Sequence, residues 1–183
     1  MTFIKDDFLL ETPQAKKLYH GYAKEMPIID YHNHLLPEHV DNDHQFENLA
    51  EAWLTDDHYK WRAMRACGVD ETYITGDASE REKFQKWAET VPLTLRNPLY
   101  HWTQLELKSY FGIDDLLTGK NAGRIYEDTK EQLQEKSHSA LGLLQQFNVE
   151  VICTTDDPID ALEHHRSTAK KNASLKMLPT FRP

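Results

Sequence analysis

The sequence predicts an α/β fold, and three observations support that assignment. The apolar run Met26–Ile29 leads into a short strand over Pro27–Tyr31, which we expect to be buried. A long stretch of helical patterns follows it. Further along, Asn148–Thr155 and Leu175–Leu178 are typical of two more strands around one helix. A strand–helix–strand unit forms a parallel, right-handed crossover, so we expect these strands to lie in one sheet.

Helix signals dominate the chain before and after the first predicted strand. Thr12 and Pro13 have the pattern of an N-cap and a first helical turn, for a helix that runs to Lys24. Later boundaries carry a glycine C-cap, the capping-box spacing of a serine and a glutamate, or a proline. The helices predicted from these signals are Leu49–Leu54, His58–Ala66 before Gly68, Ser79–Thr90, Tyr100–Phe111 after Pro98, and Ala122–Phe147 with a break near Lys136–His138.

The strands and helices divide the chain into three predicted segments. Residues 1–35 hold the first helix and strand, residues 36–147 form a helical insertion, and residues 148–183 hold the second and third strands. The length of 183 residues suits one ordinary domain. It is short of the roughly 250 residues of a complete eight-stranded α/β barrel. Because the chain stops just after a strand-like segment, we expect a cut through a larger fold.

Composition predicts a soluble, acidic and intracellular protein. With 30 acidic against 21 basic residues, the formal charge is −9, which disfavours nucleic acid or an anionic membrane as the main partner. Cys67 and Cys153 are far apart and form no CxxC motif, so we expect two reduced thiols in a cytoplasmic protein. The N-terminus lacks the apolar core of a secretion signal, and no stretch is long and apolar enough to span a membrane.

His32 and His34 are the first candidates for chemistry. They follow the first predicted strand and are two residues apart, so their side chains should point to the same side. Neutral imidazole is a common ligand of zinc and similar ions, and barrel enzymes carry their active sites at the carboxyl ends of strands. The pattern therefore predicts a metal site. The alternative is a pair of histidines that ends a strand, one hydrogen-bonded and one solvated.

An ordered set of motifs resembles uronate isomerase (glucuronate isomerase). The match runs from about Asp6 to Pro183, and the set is far more specific than the HxH motif alone. The segments that carry it are Asp30–Leu35, Asp57–Arg65, Gly76–Ser79, Asn97–Trp102, Thr154–Pro158, Leu162–His165 and Leu178–Pro183.

This resemblance implies a fold and an activity. The fold is the N-terminal part of a distorted (β/α)8 TIM-type barrel of the amidohydrolase superfamily, with a large helical insertion after strand 1. The activity is the interconversion of glucuronate and fructuronate, and of galacturonate and tagaturonate. The cofactor is one divalent metal ion, with Zn2+ the expected identity, and the partners are a small hexuronate and further copies in a homo-oligomer. The family's metal-site aspartate from the last barrel strand has no counterpart here.

The resemblance also implies roles for individual residues. His58 and Tyr59 are expected to face the substrate as catalytic residues, and Arg182 to bind the uronate carboxylate. Independently of the resemblance, Asp156 or Thr155 is expected to line the substrate site, because both follow the carboxyl end of a predicted strand. Taken without the resemblance, His58 and Tyr59 begin an amphipathic helix that packs Tyr59 and Trp61, and Arg182 is a surface residue. A free tyrosine titrates near pH 10, so a role as base needs a nearby cation.

Other histidines and acids near the third segment have simpler readings. His164 and His165 are neighbours on a predicted helix, so their rings should diverge and not share one ion. Asp157 should be the N-cap of that helix, with Pro158 at its first position and its end near Lys170.

Two further functions remain open from the sequence. One is a metal-dependent hydrolase of the same barrel superfamily, acting on an amide, ester or lactone. The other is a catalytically inactive truncated product, because three parallel strands cannot close a barrel.

Overall fold

The structure is a computed structural model and describes residues 2–181. Several of its helices begin or end at the capping residues that the sequence predicts. In chain order they are α1 (Pro13–Leu18), β1 (Ile28–Asp30), α2 (Pro37–Asp41), α3 (Leu49–Leu54), α4 (His58–Ala66), α5 (Glu80–Thr90), α6 (Pro98–Phe111), α7 (Ala122–Leu133), α8 (Ala140–Gln146), β2 (Val149–Thr155), α9 (Glu163–Lys171) and β3 (Lys176–Thr180).

The chain folds as two compact units. The helical unit contains Phe46–Gln134 and the N-terminal segment to Phe8, and the sheet unit contains Leu9–Gln45 and the residues from Glu135 onward. Both β1 and β2 therefore belong to the sheet unit, although helices α3 to α7 lie between them in the chain. The three-segment division predicted from the sequence stays a prediction.

The sheet unit is built on three parallel strands in the order β1-β2-β3. Ile28 pairs with Val149, and Val151 pairs with Lys176, so β2 is the central strand. The parallel arrangement confirms the expected strand–helix–strand unit. Ile152, at the middle of β2, is fully buried, and it forms a small core together with Val40, Leu175 and Met177.

The first strand is not buried, which corrects the prediction from its apolar run. Ile28 and Ile29 are 42% and 64% exposed. The reason is position, since β1 pairs with β2 on one side and lies at the edge of the sheet formed by the described residues. The strand also ends at Asp30, so His32 and His34 belong to the loop that follows it.

The helical unit owes its boundaries to local caps. Ser79 and Glu82 form the predicted capping box at the start of α5. Gly112 ends α6 in the left-handed conformation, at φ 66°, where a residue with a Cβ would be strained. The core is aromatic and aliphatic, and Trp87 and Phe84 of α5 lie fully inside it. Because α5 contacts α3, α4 and α7, it is the central helix of this unit.

Two predicted helices differ from the observed ones. The predicted first helix is α-helical to Leu18 and continues as a π-helical turn over Tyr19–Ala23. The helix after β2 begins at Glu163 and not at Pro158. Asp157 caps a separate tight turn instead, because its Oδ1 accepts from the backbone N–H of Ile159 at 3.0 Å, and its own N–H donates to Asp160 Oδ2 at 2.8 Å. Leu162, in the left-handed conformation, then redirects the chain into α9.

Candidate active site

His32 and His34 lie side by side in the loop after β1. Their ring centroids are 5.1 Å apart, the planes are almost perpendicular at 88°, and both side chains are exposed. Two imidazoles that bind one tetrahedral zinc through nitrogens at about 2.0–2.1 Å have ring centroids about 5 Å apart. The ring spacing therefore suits one shared ion. Within residues 2–181, no group of three or more His, Cys, Asp or Glu side chains could hold a metal.

Asp30, the last residue of β1, folds this loop back on itself. Its Oδ1 accepts from the backbone N–H of His32 at 3.3 Å, and its Oδ2 accepts from Asn33 Nδ2 at 3.0 Å. Asn33 Oδ1 in turn accepts from the backbone N–H of Leu35 at 3.2 Å. These bonds give the two histidines a defined backbone although no strand pairing continues past Asp30.

His58 and Tyr59 begin helix α4 in the helical unit. Their ring centroids are 4.4 Å apart, and Tyr59 is 54% exposed. The guanidinium of Arg62 lies 5.8 Å from the Tyr59 ring centre, within the range of a cation–π contact. The alternative prediction is that this helix packs both Tyr59 and Trp61. Only Trp61 agrees with it, since Trp61 contacts the core and its Nε1 donates to Leu54 O at 2.7 Å. Tyr59 instead faces solvent.

Asp57 is the N-cap that presents this pair. Its Oδ1 accepts from the backbone N–H groups of Tyr59 and Lys60, at 3.0 and 2.9 Å, and its Oδ2 pairs with the Lys60 ammonium. The charges of Asp57 and Lys60 also affect the pKa of the Glu106 carboxyl group on α6. Burial raises the pKa of Glu106, the positive charge of Lys60 lowers it, and the negative charge of Asp57 raises it.

Asp156 follows the carboxyl end of β2 and is part of a buried polar cluster. Its side chain is 7% exposed, and its Oδ2 accepts from Thr154 Oγ1 at 2.8 Å. His165 Nε2 lies 2.7 Å from the same hydroxyl and 3.6 Å from Asp156 Oδ1. Since a hydroxyl has one proton and a carboxylate only accepts, Thr154 donates to Asp156 and accepts from His165. His165 then carries its proton on Nε2.

A pocket of about 370 Å³ opens beside this cluster, within the sheet unit. Asp156, His164 and His165 line it together with Thr155 and Glu38. As the sequence predicts, the two adjacent histidines serve different partners. His164 Nδ1 contacts Asp41 Oδ2 at 2.9 Å, whereas His165 contacts Thr154.

The predicted site residues therefore form three groups. The structure brings His32 together with His34, and His58 together with Tyr59, and it places Asp156 against Thr154 and His165. The two pairs lie in different compact units. The predicted role of Arg182 concerns a residue outside residues 2–181.

Sequence reasoning missed the Thr154–His165 contact. Thr154 and Asp156 are two positions apart and share one side of an extended chain, which is a signal available in the sequence. Nothing in the sequence, however, indicates that His165 meets them, because this contact depends on how α9 packs against the sheet.

Comparison with known proteins identifies the family. The family model for glucuronate isomerase matches residues 1–183. The chain belongs to the glucuronate isomerase family. It is 60% identical to the uronate isomerase of Cellvibrio japonicus, covering 100% of this chain, and 57% identical to that of Bacteroides thetaiotaomicron, covering 99%.

A solved structure of the same family agrees with the fold. The uronate isomerase of Thermotoga maritima matches with a TM-score of 0.93 and 37% identity over 100% of this chain and 40% of that one. The chain spans 39% of the length of the two curated glucuronate isomerase relatives. Residues 2–181 contain no helix with the length and apolar character needed to cross a membrane.

Proposed function

We propose that this chain is the N-terminal part of a uronate isomerase that interconverts D-glucuronate and D-fructuronate, and D-galacturonate and D-tagaturonate. The observation that carries the proposal is the family match over the whole chain. The residue types support it, because an aldose–ketose isomerisation needs a group that stabilises charge on oxygen and a group that moves a proton. The histidine pair and the His58–Tyr59 pair are suited to those two tasks.

His32 and His34 would hold one divalent ion, with Zn2+ the expected identity. When bound, this ion supplies Lewis-acid stabilisation of the sugar oxygens. The reaction moves a proton between C2 and C1 through an enediol. Tyr59 and His58 are exposed at the first turn of α4, so the phenol or the imidazole is free to take or return that proton.

Arg182 and Asp156 would orient the substrate. A guanidinium binds a carboxylate through two parallel hydrogen bonds, which suits Arg182 to the uronate carboxylate. Asp156 Oδ2 accepts from Thr154 at 2.8 Å, and Asp156 Oδ1 lies 3.6 Å from His165 Nε2, beyond hydrogen-bond distance. Because Asp156 also lines the pocket, this second oxygen would be the one to accept from a sugar hydroxyl.

The fold proposal is a distorted (β/α)8 barrel of the amidohydrolase superfamily. Strands β1 to β3 would be its first three strands, and the helices between β1 and β2 would be an insertion after strand 1. The exposed edge of β1 and the exposed side chains of Ile28 and Ile29 support a further covering layer. We propose a cytoplasmic homo-oligomer that acts on a small hexuronate and binds neither nucleic acid nor membranes.

The test uses the intact protein and its two histidine variants. Ketose formation from glucuronate should be lost in both His32→Ala and His34→Ala, together with bound zinc measured by elemental analysis, while circular dichroism stays unchanged. Unchanged turnover and metal content in both variants would remove the metal assignment. Hydrolysis of a lactone or ester without ketose formation would favour the hydrolase instead.

A further inference from the structure

We propose that Thr155 and Asn33 are positioning residues for the histidine loop, the segment 31–36 that carries His32 and His34. Together they would fasten this loop to the end of β2 in the geometry that binds the metal. This inference rests on the proposed function, in which His32 and His34 hold one ion. Neither residue needs to touch the ion or the substrate for this role.

Two hydrogen bonds fasten the loop through the backbone of Asn33. Its N–H donates to the carbonyl of Cys153 at 3.0 Å, and its carbonyl accepts from Thr155 Oγ1 at 2.7 Å. Asn33 and Thr155 are 122 positions apart in the sequence. Because Asn33 is the residue between His32 and His34, each histidine is one peptide bond away from an anchored backbone.

The Asn33 side chain adds two more bonds to this anchor. Its Nδ2 donates to Asp30 Oδ2 at 3.0 Å, and its Oδ1 accepts from the N–H of Leu35 at 3.2 Å. Asn33 thus makes four hydrogen bonds, two to β2 and two within the loop. The imidazoles of the residues before and after Asn33, His32 and His34, are exposed.

The need for such an anchor follows from the end of β1. Strand pairing between β1 and β2 stops at Asp30, two residues before His32. An ion that binds two mobile side chains must first order the backbone that carries them, and that entropy is lost from its binding free energy. The Thr155 hydroxyl donates to the Asn33 carbonyl, as a backbone N–H would if the strand pairing continued. The loop is therefore ordered before the ion binds.

The experiment measures zinc affinity in the intact protein by competition with a chromophoric chelator. Thr155→Val keeps the shape of the side chain and removes the donor, and it should weaken zinc binding about 10- to 100-fold, as for other partners that orient metal ligands. Thr155→Ser keeps the hydroxyl and should stay within about threefold of wild type.

A matched control separates positioning from a general loss of stability. Thr90 on α5 donates through its hydroxyl to Lys86 O at 2.8 Å, within the helical unit. Thr90→Val removes an equivalent bond away from the histidines, so zinc affinity should stay at the wild-type value. Equal weakening by Thr90→Val and Thr155→Val would overturn the proposal, as would wild-type affinity in Thr155→Val.

A second variant keeps the test decisive if Thr155→Val does not fold. Asn33→Ala removes the two side-chain bonds and keeps both backbone bonds to β2, so it should weaken zinc binding by a smaller factor, of about 10. Wild-type affinity in this variant would also count against the proposal. The variants His32→Ala and His34→Ala distinguish failure of the positioning role from failure of the metal site. If they leave zinc binding intact, the proposed metal site itself fails, whatever Thr155 does.

Discussion

Replacing Asp57 with alanine should loosen the first turn of α4, where His58 and Tyr59 lie. The substitution removes both hydrogen bonds from the backbone N–H groups of Tyr59 and Lys60, at 3.0 and 2.9 Å. It also removes the ion pair with the Lys60 ammonium. Asp57→Asn is the matched control, because asparagine caps a helix as well as aspartate but carries no charge.

The magnitude follows from these contacts. Loss of an N-cap costs about 1 kcal/mol of the free energy of unfolding. The Asp57 and Lys60 side chains are 25% and 13% exposed, so their ion pair is partly screened and adds about 0.5 kcal/mol. We therefore expect Asp57→Ala to lower the free energy of unfolding by about 1.5 kcal/mol and Asp57→Asn by about 0.5 kcal/mol.

Two measurements on the intact protein check this. Urea unfolding at pH 7 gives the stability difference between the two variants, and steady-state ketose formation gives kcat. A frayed first turn would misplace the two side chains that we propose as catalytic, so kcat should fall about tenfold or more in Asp57→Ala and stay near wild type in Asp57→Asn. Equal kcat values in the two variants would refute the idea that the cap presents His58 and Tyr59.

Three further outcomes are expected. Lys171 and then His164 hold the pKa of Asp41 far below its ordinary 3.8. A lowered folded-state pKa contributes stability above the ordinary pKa that is lost as pH falls below it. Asp41→Asn should thus cost about 1.5–3 kcal/mol in urea unfolding at pH 7 and reduce the loss of stability below pH 3.8. Trp87→Ala, at a fully buried core position, should cost about 3–5 kcal/mol by thermal unfolding. A polypeptide limited to residues 1–183 should form no ketose from glucuronate under conditions where the intact protein does.

The helix boundaries were accessible from the sequence because their causes are local. Ser79 and Glu82 are three residues apart, and the bonds that cap α5 join those same two residues. The same reasoning failed at Asp157, which is a residue type that caps helices but here bonds Asp160 through its N–H and Ile159 through its side chain, in a tight turn. A local signal can fix that a residue caps something, but not which of two nearby structures it caps.

The candidate site was accessible only in part. The spacing of His32 and His34 predicts that the two side chains lie close together, and their ring centroids are 5.1 Å apart. The shared ion stays a prediction. Their supporting contacts could not be predicted, because Asn33 and Thr155 are 122 positions apart. The exposure of Ile29 was also out of reach, since an apolar run indicates that a strand will be covered but not which part of a protein covers it.

The long separation between β1 and β2 sets an order on events during synthesis of the chain. Residues 46–134 form contacts mostly among themselves, so that unit can begin to fold while translation continues. The histidine loop cannot reach its final conformation at that stage, because its hydrogen bond to Thr155 forms only after Thr155 has been synthesised. If His32 and His34 bind zinc as we propose, the ion meets a fastened loop only after residues 46–134 and Thr155 have been synthesised.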